Sequence, residues 1–158
     1  MSWQIILNRR NALREAFCGF QPEVVANFTE SDVGNLMKNT AIIRNNRKIR
    51  SAINNAKRYK ELKEEFGSLS AFFWQFEPDS HSRPKKITRK WLIDNPHTRE
   101  STQLAKDLKK RGWSFIGPTN MYALMQALGI VNDHVHQCPQ QRKVESLRES
   151  IVRPQEKP

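Results

Sequence analysis

The sequence predicts an all-α protein, and three observations carry that expectation. Apolar residues recur at three- and four-residue spacing along most of the chain. No stretch shows the period-two alternation of a half-buried strand. Gly19, Gly112 and Gly129 close periodic segments, and Pro118 opens one.

Taken in order, Trp3, Ile6, Leu7, Leu13 and Phe17 mark a first helix, which Gly19 ends in a left-handed turn. In TESDVGNLMKN, Thr29 and Asp32 form a capping box ahead of Val33, Leu36 and Met37. Ile49, Ala52, Ile53, Ala56, Tyr59 and Leu62 give a longer amphipathic helix, and SLSAFFWQF a short, very apolar one. From Glu77 to His97 the pattern breaks around Pro78, Pro84 and Pro96, with a basic cluster of Arg83, Lys85, Lys86, Arg89 and Lys90. A loop of that length is more often functional or mobile than neutral. A helix resumes from Thr98 to Arg111 with Leu104, Ala105 and Leu108 inward. Another follows Pro118, its inner face Met121, Leu124, Met125 and Leu128. The expected organisation is one helical domain over 1–138 and a disordered polar tail over 139–158.

The 158 residues are 37% hydrophobic and 27% charged, which suits a single soluble core. A net charge of +11 favours polyanionic partners, DNA or RNA above all. No apolar run reaches bilayer-spanning length, and MSWQIILNRR is no secretory signal. Cys18 and Cys138 make no disulfide framework and fit the reducing cytoplasm. The charge is concentrated in KNTAIIRNNRKIR. Lys38, Arg44, Arg47, Lys48 and Arg50 lie there, and no acidic residue occurs between Asp32 and Glu61. Two helices joined by a short turn aim the second helix's N–H groups outward, a ready phosphate site. The turn carries Asn39, Thr40 and Ala41 where such hairpins usually have glycine.

Chemistry is harder to place. There is no Gly-rich phosphate loop, no GxSxG and no HExxH. Lys48 is read as a phosphate contact before a Schiff-base lysine, and Asp133 as a helix cap before a general base. Trp3, Trp74, Trp91 and Trp113 are available for stacking on bases, or as core. His134 and Cys138, four apart, would share one face of a helix and could meet one zinc ion, with His136 pointing away. Cys18, His81 and His97 are candidate completing ligands that no spacing nominates.

The segment FIGPTNMYALMQALGIVNDHVHQC resembles the signature of the DNA-3-methyladenine glycosylase I family. Phe115, Gly117, Thr119, Tyr122, Met125, Gln126, Ala127, Gly129, Val131, Asn132, Asp133 and His134 all match it. LKKRGWSF, AIIRNNRKI and SWQIILNRRNALREAF also resemble family segments, so the similarity runs from about Ser2 to Cys138. The resemblance implies a helix-hairpin-helix DNA glycosylase, a monomer acting on double-stranded DNA. Such an enzyme flips 3-methyladenine from the helix and hydrolyses its glycosidic bond with water, starting base-excision repair. It implies base binding by Trp3, Thr119 and Tyr122, and a DNA-backbone grip by Arg44, Arg47, Lys48 and Arg50. It also implies a structural zinc to which His134 and Cys138 contribute. The family's other two zinc ligands and its pocket glutamate have no counterpart here, so the expectation is an N-terminally truncated chain. A non-catalytic DNA-binding module is the competing expectation, and a helical protein with an incidental basic surface a remote third.

Overall fold

The structure, a computed structural model, describes residues 3–155; the side chain of Trp3 falls outside the described residues. Every regular element in that range is a helix. The chain forms two compact units, one comprising residues 1–61 and 112–115, the other residues 62–111 and 116–158. Among the described residues no helix is long and apolar enough to cross a membrane.

The first unit holds α1 (Trp3–Asn8), α2 (Arg10–Ala16), α3 (Pro22–Val25), α4 (Glu30–Lys38) and the start of α5 (Asn46–Phe66). The single first helix expected from periodicity is two, broken at Arg9, whose φ of −101° and ψ of 5° leave the helical region. At the start of α4 the expected capping box is present. The Thr29 side chain takes the Asp32 N–H, and the Asp32 carboxylate takes the Thr29 N–H at 2.7 Å. The Thr29 N–H first, and then the Thr29 hydroxyl, hold the Asp32 carboxyl below the usual range by donating to it. Phe17, Val25, Ala26, Val33, Leu36, Ile42, Ile49, Ile53 and Ala56 form the core. Phe17 stacks on Phe20 and Phe28 there, with ring centroids 5.3 and 6.2 Å apart.

The second unit holds the end of α5, then α6 (Leu69–Trp74), α7 (Arg89–Asp94), α8 (Arg99–Lys110), α9 (Pro118–Ala127) and α10 (Pro139–Ser150). Leu104, Ala105 and Leu108 bury one face of α8, which packs on α9. On α9, Tyr122 is buried with Met121 and Met125, whereas Leu128, expected inward, is 44% exposed. Gly129, at φ 72°, reverses the chain so that the Ile130 N–H reaches the Met125 carbonyl at 2.9 Å.

Two expectations are corrected here. The irregular stretch 77–97 contains α7, which Thr88 caps by accepting the Trp91 N–H. Within the tail expected to be disordered, residues Pro139–Ser150 form α10, where Pro139 presets the first turn and side chains find partners. Asn132 donates to the Gln141 carbonyl at 2.9 Å and to Glu145 at 2.8 Å. Arg148 and Arg153 both donate to Glu77, and the Arg153 guanidinium lies 4.9 Å from the Trp74 ring centre.

Candidate functional site

In the first unit, α4 and α5 are joined by the basic turn. Asn39 takes the role expected of glycine: its side-chain oxygen accepts the Ala41 N–H at 2.9 Å, closing a tight local turn. Ile42 is only 2% exposed and nails the turn to the core. Asn45 caps α5 by accepting the Lys48 N–H at 3.1 Å. Arg44, Arg47 and Lys48 are exposed, and none has a carboxylate partner among the described residues. Arg50 differs. Two hydrogen bonds of 2.5 Å bind it to Glu30, and its Nε reaches Asn46 at 2.9 Å. That bond from Arg50 is the main cause holding the Glu30 carboxyl below the usual range. Trp3, which opens α1, belongs to this unit, but its side chain lies outside the described residues.

In the second unit, Thr119 is exposed in the first turn of α9 and Tyr122 is buried one turn on. The buried Tyr122 hydroxyl faces the Asp133–Arg83 pair, and burial, ahead of its interaction with the Asp133 carboxylate, pushes its pKa up to about 12. Asp133 is no helix cap, contrary to expectation. Its side chain is 6% exposed, accepts from Arg83, and accepts from Gln126 Nε2 at 2.7 Å. Arg83 also lies over Trp91, with its guanidinium carbon 5.5 Å from the ring centre. The partner of Asp133 thus comes from the basic cluster fifty residues earlier, which no local spacing could nominate.

Nor do His134 and Cys138 stand on a helix. Asn132 accepts the His134 N–H at 3.4 Å, Gln137 adopts φ 74°, and the His136 N–H bonds the Ile87 carbonyl at 2.8 Å. Cys138 precedes a proline, which forces it to the extended φ −66°, ψ 127°. This turn still brings Cys138 Sγ within 3.8 Å of His134 Nδ1. Zn–S and Zn–N bonds of about 2.3 and 2.05 Å at a tetrahedral angle put the two donors about 3.6 Å apart. The pair fits one edge of a zinc tetrahedron. Two donors do not make the site, however, and among the described residues no group of three or more His, Cys, Asp or Glu is placed to hold a metal. Cys18 is a free, exposed cysteine, and His81 and His97 are exposed on the surface.

These features define an all-helical protein built on a helical hairpin whose turn presents unneutralised cations. Comparison with known proteins narrows that class. Residues 1–142 match the family model for methyladenine glycosylase. The chain is 36% identical over 148 residues to a DNA-3-methyladenine glycosylase of Haemophilus influenzae, covering 88% of this chain and 74% of that one. It is 37% identical over 139 residues to DNA-3-methyladenine glycosylase 1 of Escherichia coli, covering 87% and 73%. A crystal structure of 3-methyladenine DNA glycosylase I superposes with a TM-score of 0.74 at 38% identity, over 88% of this chain and 75% of that one. The Staphylococcus aureus enzyme, solved to explain its 3-methyladenine recognition, superposes with a TM-score of 0.76 at 32% identity, over 89% and 74%. The chain belongs to the methyladenine glycosylase family, a family of enzymes that hydrolyse N-glycosyl bonds.

Proposed function

We propose that this chain acts on double-stranded DNA as a 3-methyladenine glycosylase, extruding the alkylated base and hydrolysing its bond to deoxyribose. The observation that supports the reading is the family match across residues 1–142 together with the intact cationic turn. Arg44, Arg47 and Lys48 grip phosphates at the N-terminal end of α5, with Arg50 beside them held by Glu30. The flipped base is read by Trp3, Thr119 and Tyr122. N3-methylated adenine is cationic and already a good leaving group, so water is a sufficient nucleophile and Lys48 need form no Schiff base. His134 and Cys138 are the donors this chain would bring to a structural zinc, which would brace the 131–138 turn and take no part in the reaction.

The test is release of free 3-methyladenine from an alkylated duplex by the full chain, beside Trp3→Ala. Release that the substitution abolishes supports the reading. Salt-dependent binding of the duplex without base release supports a non-catalytic DNA-binding module in its place.

A further inference from the structure

We infer that Arg9 is a positioning residue that holds the phosphate-gripping turn in place; the inference rests on the hairpin reading above. Arg9 stands at the break between α1 and α2. Its Nη1 donates to the Thr40 carbonyl at 2.8 Å and to the Ile42 carbonyl at 3.1 Å, more than thirty residues along the chain. The side chain is half-buried, and no carboxylate is bonded to it among the described residues.

The turn's own bonds are few: the Asn39 side chain takes the Ala41 N–H, and the Ile42 N–H reaches the Asn39 carbonyl at a long 3.4 Å. The Ile42 side chain anchors one end in the core, and Arg9 supplies the donor that the Thr40 and Ile42 carbonyls need. One guanidinium takes both. Arg9 makes both bonds from the break between α1 and α2. Arg9 is also the residue that follows α1, the helix Trp3 opens.

The experiment compares the full chain with Arg9→Met, Arg9→Lys and the double substitution Arg47→Ala, Lys48→Ala. Two quantities are measured: hydrogen exchange of the amides from 39 to 45, and affinity for a fluorescent undamaged duplex across a salt series. The expected result for Arg9→Met is exchange at least about ten-fold faster in that segment with α9 unchanged, and DNA binding about ten-fold weaker. Arg9→Lys keeps a donor within reach of the carbonyls and restores most of both, which also serves should Arg9→Met fail to fold. Unchanged exchange with a salt slope smaller by about 0.9 would make Arg9 a direct phosphate contact and overturn the inference. No change in either quantity overturns it as well. If the Arg47, Lys48 double substitution binds as tightly as the unaltered chain, the grip itself fails. Faster exchange in Arg9→Met would then show a turn clamp with no part in DNA binding, and the inference fails with the grip.

Discussion

Asp133 and Arg83 form an ion pair that is 6% and 16% exposed, and breaking one side of it should be costly. In Asp133→Ala the guanidinium keeps its place over Trp91 but loses its carboxylate, in a site water reaches poorly. Removing one partner of a buried pair costs about 3–5 kcal/mol, because the other charge is left uncompensated. For a chain of this size each kcal/mol moves Tm by about 2–4 °C, so the expected fall is about 6–20 °C. Arg83→Met should cost a similar amount, leaving the carboxylate with the neutral donors Gln126 and Tyr122. The double substitution Arg83→Met, Asp133→Leu removes both charges and should recover most of the loss, since apolar replacements of buried pairs are often neutral. Urea and thermal unfolding of the four proteins give the coupling directly. If the two single losses simply add in the double variant, the pair is behaving like a hydrated surface bridge and the argument from burial is wrong.

Tyr122 carries a pH signature. Its phenol is pushed up to about 12 in the fold against about 10 in the unfolded chain, so the folded state holds the proton more tightly. Its contribution is fully present below pH 10 and is lost as pH rises from 10 to 12, by about 3 kcal/mol. Tyr122→Phe should abolish that loss in a difference of stability curves. Zinc titration of the purified chain should give weak, sub-stoichiometric binding, and chelation should leave Tm unmoved, since among the described residues only His134 and Cys138 are in place. Tight binding of one zinc per chain would show that two further donors reach the pair.

The helices whose faces are long and capped were legible in the sequence. Thr29 with Asp32 marked α4, and Leu104, Ala105 and Leu108 marked the face of α8. What could not be read were features set by distant partners. The Arg9 break is stabilised by carbonyls of residues 40 and 42, and α10 by Glu77 and Asn132, separations at which periodicity carries no information. The His134 and Cys138 pair is instructive in another way. Four-residue spacing suggested a helix, and the donors do meet, but on an extended turn that Pro139 enforces. Spacing identified the pair and misjudged the backbone.

The net charge of +11 overstates the phosphate grip, because the excess cations are spread along the chain, the cluster Lys85, Lys86 and Arg89 among them, and much of the arginine is structural. Arg83, Arg111 and Arg153 each bind a carboxylate and cover an aromatic ring, a pairing that the planar guanidinium allows and lysine does not. Arg148 joins Arg153 on Glu77, and Arg50 is held by Glu30. Near the turn Lys38 has no carboxylate partner among the described residues either, and the proposed phosphate contacts are Arg44, Arg47 and Lys48. If only these three contact phosphates, the salt slope of DNA binding should be close to −0.9 × 3, about −3, well short of the value the net charge would suggest.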